Sequence, residues 1–257
     1  MKDVCLAVLA YNRPEFLYVT LDSVFRNKRV DEVDVRVYID GGSDKLPDMK
    51  EVISDFNVEK TIIDIVNRKV LWAHVTALEN VFSDGYNKCI YIEDDHIMRS
   101  DTIGYCLDYT PTEFILSLSG KGGKGQHYRP MGNMITRDNF LELDRWVRDF
   151  QFVGLPRPNS PDQIMHPCWN GHDSVFYAFL IANNKLSEFA NDYYIAHCGV
   201  KGIHFVYDQD GSGEMYNRMF EGDRTSWLDR IVKIIKEGNY SGKLNSALWL
   251  KGVFDYR

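Results

Sequence analysis

Over roughly its first 100 residues the chain alternates short apolar runs with amphipathic stretches, and that alternation leaves few folds open. Val4 to Tyr11 is continuously apolar, as expected of a strand buried on both faces. Asn12-Arg13-Pro14 breaks the run, and Pro14 suits the first turn of a helix over about Glu15 to Arg26. Leu17, Leu21, Val24 and Phe25 share one face of that helix. Val33 to Ile39 reads as a second strand, closed by Asp40-Gly41-Gly42-Ser43-Asp44, a turn too flexible to be core. A helix over about Asp48 to Phe56, a third strand over Thr61 to Val66 and a helix over about Trp72 to Phe82 lead into a fourth strand, Cys89 to Ile92. Strands separated by helices imply a parallel sheet with right-handed crossovers, hence an α/β class.

The fourth strand runs directly into Glu93, Asp94 and Asp95, followed by His96. Carboxylates where a central strand ends lie at the usual ligand crevice of open α/β sheets. Three adjacent acids repel one another unless a cation or hydrogen-bond donors neutralise them. Such oxygen ligands suit Mg²⁺ or Mn²⁺, ions that commonly take one or two carboxylates plus substrate phosphates. A solvated acidic turn is the plainer alternative.

The second half is less regular. Glu113 to Ser119 is strand-like, and Gly120 to Gly125 reads as a mobile loop. That loop is not a P-loop, because Gly125 is followed by Gln126 where Lys is needed. Met131 to Thr136 suits a strand and about Asn139 to Arg148 a helix. Pro156, Pro158, Pro161 and Pro167 mark residues 151–170 as a long surface loop, of a length that is usually functional or disordered. A helix from Asp173 to about Ala182, a strand at Tyr193 to Ala196, a glycine-rich segment from Cys198 to Gly222 and a helix over about Ser226 to Lys236 complete the chain.

With 37 acidic against 30 basic residues, formal net charge −7, there is no general attraction to nucleic acid or anionic membrane. The apolar stretches are far shorter than a membrane span. The first residues do not resemble a signal peptide, and five cysteines without a CxxC pair fit reduced thiols; a cytoplasmic protein is expected.

In order and spacing, Val8-Leu-Ala-Tyr-Asn-Arg-Pro14, Ile39-Asp-Gly-Gly-Ser43 and Tyr91-Ile-Glu-Asp-Asp95 resemble the GT-A glycosyltransferases. The opening is similar to the broad family-2 enzymes. Glu93-Asp94-Asp95 resembles the metal-binding DXD motif in the form found in N-acetylglucosaminyltransferase I enzymes, as does Cys198-Gly-Val-Lys-Gly202 with His204 in their late loop. The likeness covers roughly residues 4–205 and is strongest in the first hundred.

That resemblance implies a single GT-A (Rossmann-like) domain over residues 1–222, with a nucleotide-binding half, 1–110, and an acceptor half, 111–222; residues 223–257 would be a helix and tail packing on it. It places Asn12 and Arg13 in the loop packing on the nucleotide, Asp40 on the uracil, Asp95 on the metal, and Glu93 and Asp94 nearer the donor ribose or sugar. His197 would be a late second metal ligand. From the residues themselves, the glycine-rich Cys198 to Gly213 reads as a lid with Lys201 available for phosphate, and Trp169, between Pro167 and Gly171, as an acceptor platform. Asp173 matches the acid that opens the catalytic helix, although His172 stands where many of these enzymes have Glu.

Each assignment has a structural alternative. Asp40 beside two glycines suits a turn cap, Arg13 a solvated loop, His197 a core histidine and Asp173 a helix N-cap. His96 reads as a supporting or surface residue, and Trp72, Trp146 and Trp227 fall in helical patterns as core.

The expected activity is metal-dependent, inverting transfer of a hexosyl or N-acetylhexosaminyl group from a UDP-linked donor. The acceptor class stays open among a glycan, a protein, a small molecule and a modified nucleobase in DNA. A sugar nucleotidyltransferase of related fold would carry a basic glycine-rich loop after its first strand, where this chain has Asn12-Arg13-Pro14. A non-catalytic binding module would keep the pocket without a base.

Overall fold

A computed structural model of the chain describes residues 2–120, 122–126, 128–149 and 172–197. Its centre is β1 (Val4–Ala10), buried at every position and flanked in parallel by β2 (Asp34–Ile39) and β4 (Lys88–Glu93), with β3 (Lys60–Ile63) parallel beyond β2. The sheet continues past β4 through β8 (Asn133–Thr136), β6 (Ile115–Ser117), β9 (Ser187–Phe189) and β7 (Lys124–Gly125). The eight strands stand in the order β3-β2-β1-β4-β8-β6-β9-β7. The half formed by β3, β2, β1 and β4 is wholly parallel. The other half mixes senses, β8 being antiparallel to both β4 and β6 and β9 parallel to β6.

Alternate side chains of β1 feed two cores. Leu6 and Val8 pack toward α1 (Pro14–Phe25) and α2 (Leu46–Ser54), together with the short α4 (Thr102–Asp108). Cys5, Ala7 and Leu9 face α3 (Lys69–Ser83), α5 (Arg137–Asp149) and α6 (His172–Ala182). A strand covered on both faces must be apolar at every position, which is the pattern that β1 shows.

A second, two-stranded sheet pairs β5 (His96–Met98) antiparallel with β10 (Ile195–His197), setting His96 opposite His197 in register. Neither β5 nor α4 was expected, nor β9. The Gly120 to Gly125 segment corrects the loop reading. Gly120 is buried so close to Phe189 that a Cβ would come within 2.4 Å of its ring, and Lys124–Gly125 forms β7 on β9. The turn after β2 is likewise not loose: a Cβ on Gly41 would lie 2.6 Å from backbone atoms of Asp64 and Val66. β3 stops at Ile63, leaving Ile65 and Val66 exposed rather than in the strand expected through Val66. Trp72 is 38% exposed and not core, because it lies off the face defined by Leu71, Val75 and Leu78. Trp146 packs at the core margin as expected.

Cys5, Cys89 and Cys106 are buried free thiols. Among the described residues no helix is long and apolar enough to cross a membrane. The expected helix over Ser226 to Lys236, the loop of residues 151–170 and the glycine-rich segment lie outside the described residues.

Candidate active site

β4 delivers its acids to the carboxyl edge of the parallel half. Asp94 and Asp95 form the turn between β4 and β5 and are 1% and 2% exposed, so the solvated-turn alternative fails. Their neutralising partner is Arg13. Its Nη1 donates to Asp95 Oδ2 at 2.6 Å, and its Nη2 contacts Asp94 Oδ1. The loop after β1 ends at Pro14, which starts α1 and aims the preceding guanidinium across the turn. Thr20 Oγ1 donates to the Asp94 carbonyl at 2.7 Å and the Tyr11 amide donates to Asp94 Oδ2 at 3.3 Å. Burial pushes the Asp94 carboxyl up to about 7, against the lowering pull of Arg13. Burial also works against the Arg13 charge, but Asp94 and Asp95 outweigh it and raise its pKa. Arg13 is therefore not a solvated loop residue: it holds the acidic turn together.

Glu93 belongs to a different cluster. Its Oε1 lies 3.5 Å from His74 Nε2 of α3 and 3.7 Å from His172 Nε2 at the start of α6. The two imidazoles stack with centroids 3.7 Å apart and planes within 9°. His74 Nδ1 lies 2.8 Å from the Val70 carbonyl, and the Glu93 amide donates to His96 Nδ1 at 3.0 Å. His96, 1% exposed, is thus a supporting residue under the strand end rather than a surface one. Burial and the neighbouring His74 push His172 well below the usual histidine range. Burial raises Glu93, but the His74 contact and the nearby imidazoles win and hold it at about 2. Neither His74 nor His172 was singled out as a ligand from sequence. A signal existed for His74: it occupies a core-facing position between Leu71, Val75 and Leu78, where an apolar residue is the rule.

Asp40 stands at the end of β2 and lines a cleft of about 310 Å³, open solvent included, with Tyr38, Ile62 and Thr76. Its carboxylate accepts from the Arg68 amide at 2.6 Å and the Lys69 amide at 3.2 Å, and so also anchors the start of α3. The cap reading therefore holds, and capacity for a further donor remains, since a carboxylate has about four acceptor positions.

Asp173 is exposed in the first turn of α6, one residue beyond the buried His172, which brings it to the same end of the sheet as Glu93. Asn12 is exposed in the loop between β1 and α1. His197 ends β10, and its register opposite His96 puts its backbone beside the acidic turn. Trp169 and Lys201 lie outside the described residues, as does Asp162. Asp192, an acid just ahead of β10, is paired with Arg99 at 2.7 Å.

No protein-family model matches the sequence, and no curated relative matches it. Among solved structures, the mannosyltransferase PcManGT from Pyrobaculum calidifontis, in complex with GDP-Man and Mn²⁺, superposes with a TM-score of 0.53 at 13% identity, covering 97% of this chain and 79% of that one. TarS from S. aureus gives 0.51 at 13% identity, covering 99% and 70%. The chain therefore has the α/β fold of these proteins, the mostly parallel architecture expected from its strand-helix alternation.

Proposed function

We propose that the chain transfers a sugar from a UDP-linked donor to an acceptor hydroxyl, with inversion and with Mn²⁺ or Mg²⁺ as cofactor. The observation that carries this reading is the buried Asp94–Asp95 turn at the carboxyl end of the central strand, in a fold shared with a mannosyltransferase that holds GDP-Man and Mn²⁺. Asp95 puts one oxygen on Arg13, while its Oδ1 lies 3.9 Å from His96 Nε2. A carboxylate in that setting has acceptor capacity for a hard cation as well as a guanidinium, and oxygen donors suit Mn²⁺ and Mg²⁺. Asp95, with His197 as second ligand, would hold the ion, which would supply charge neutralisation for the departing diphosphate.

The chain's own residues do the rest. Asp40 accepts the uracil N–H in the cleft beyond β2, with Asn12 lining the nucleotide side. Arg13 keeps Asp94 and Asp95 together against their mutual repulsion, and Asp94 faces the donor sugar. Asp173, separate from the acidic turn, takes the proton from the acceptor hydroxyl. The hydroxyl oxygen bonds to the anomeric carbon as the bond to the diphosphate breaks on the opposite face. Trp169 stacks on the acceptor, and Lys201, in a segment that closes over the donor, meets its phosphates. Guanine N1–H would satisfy the same carboxylate, and PcManGT holds a GDP-linked sugar, so the test includes both bases.

The test is a screen of UDP- and GDP-linked sugars for nucleotide release with Mn²⁺ or Mg²⁺, first without acceptor and then with acceptor pools. Release of UDP from one donor, lost in Asp95→Ala, is expected. Donor binding without release in any pool would make the chain a binding module. Pyrophosphate release from UTP and a sugar 1-phosphate would make it a nucleotidyltransferase.

A further inference from the structure

The cluster behind the acidic turn has a chemistry that the transfer reaction does not use. His74, Glu93 and His172 come from three elements, α3, β4 and α6, and each brings one donor atom to within 4.8 Å of the others. His172 is 3% exposed, and neither of its ring nitrogens has a hydrogen-bond partner among the described residues. Buried polar atoms are nearly always paired, so two orphans on one ring call for a missing ligand.

The His74 tautomer points the same way. Val70 O can only accept, so His74 Nδ1 carries the proton, and in the neutral ring Nε2 is left with a lone pair directed at the Glu93 carboxylate. Two acceptors facing each other at 3.5 Å need a cation between them or a second proton on the ring. Imidazoles that bind metals characteristically donate their other nitrogen to a backbone carbonyl or carboxylate. The two spacings to the carboxylate also fit. Around a tetrahedral ion with ligands at about 2.1 Å, neighbouring donors stand roughly 3.4 Å apart. Here Glu93 Oε1 is 3.5 Å and 3.7 Å from the two Nε2 atoms.

We infer that His74, Glu93 and His172 form a binding site for a borderline divalent metal of the Zn²⁺ class, distinct from the Asp95 site. Two imidazoles and one carboxylate are the donor set that such ions take with a further position open, whereas Mg²⁺ and Ca²⁺ favour all-oxygen sites. Parallel rings cannot both aim in-plane lone pairs at one ion, so binding turns one imidazole out of the stack; the χ2 torsion of histidine is broad enough to allow it. The bound ion staples α3, β4 and α6 together and fixes the helix start that carries Asp173.

The test uses the chain without a histidine tag, stripped with chelator, and Zn²⁺ or Co²⁺ alone as probe, with no nucleotide present. One equivalent of Zn²⁺ is expected to bind and raise the melting temperature, and Co²⁺ to give the visible d–d bands of a four- or five-coordinate site. His172→Phe keeps an aromatic ring in the stack and removes both nitrogens, so it should weaken Zn²⁺ binding by at least about 100-fold. His74→Gln provides a second, independent loss, while Asp95→Asn should bind Zn²⁺ like the parent. Absence of binding to the parent overturns the site. Binding kept by His172→Phe and His74→Gln but lost in Asp95→Asn also overturns it, by assigning the ion to the acidic turn. Nucleotide is absent throughout, so failure here is separate from failure of the donor assignment.

Discussion

Two buried clusters meet at the end of β4 and are built on opposite principles. On the α1 side, Arg13 forks onto Asp94 and Asp95, and the Tyr11 amide donates to Asp94, so both acids are matched with donors from within the protein. On the α6 side, Glu93 faces two imidazoles at distances too long for good hydrogen bonds, and His172 has no partner for either nitrogen among the described residues. A matched cluster is rigid without help, while an unmatched one holds its geometry best when something binds. The first forms an acidic turn at the carboxyl end of the central strand; the second sits under the start of α6, which carries the proposed base.

The largest effect expected is on turnover, at the helix above the unmatched cluster. Asn caps a helix about as well as Asp, so Asp173→Asn should leave melting temperature and donor binding nearly unchanged. Loss of a general base should reduce turnover by roughly 10²–10⁴-fold. Near-parental turnover in steady-state assays would leave Asp173 as a cap and move the base elsewhere, with Asp162 and Asp192 next.

In the matched cluster the sign concerns stability. Arg13→Ala strands two carboxylates whose side chains are 2% and 4% exposed. Removing one partner of a buried ion pair costs about 3–5 kcal/mol, and the partial exposure of Arg13 favours the lower end. Urea unfolding at neutral pH measures it. A loss well under 1 kcal/mol would mean that the fork contributes little and the two clusters are alike.

The unmatched cluster should respond with the opposite sign. In metal-free protein His172→Phe removes two buried unsatisfied nitrogens while keeping a ring between Tyr128, Phe176 and His74, so unfolding free energy should rise by about 1–3 kcal/mol. Destabilisation in chelator-treated protein would show that the nitrogens are satisfied after all.

The same contrast explains what was readable in the sequence. β1 and β4 stood out because strands covered on both faces are apolar through their buried length, and the helices between the strands carry a 3.6-residue stripe. Asp94 and Asp95 stood out because they follow such a strand without a break. Arg13 was visible as part of a loop, yet its bridge of 81 and 82 residues to the two acids was not, since ion pairs across a sheet leave no periodic trace. β5, β7 and β9 have only two or three residues each, too few to show an alternation. The His74–His172 stack joins α3 to α6 across nearly a hundred positions; only the misfit of a histidine on the apolar face of α3 hinted at it. Gly41 and Gly120 read as loose turn residues because the sequence shows their missing side chains but not the backbone and Phe189 that fill the space.

The most direct test of the donor assignment is calorimetric titration of UDP into the parent chain and Asp95→Ala, each with and without Mn²⁺. The parent should bind UDP in a metal-dependent way, and Asp95→Ala should lose that dependence while keeping the parental fold. Equal UDP affinity in the two proteins with Mn²⁺ present would contradict the assignment of the acidic turn to the donor diphosphate.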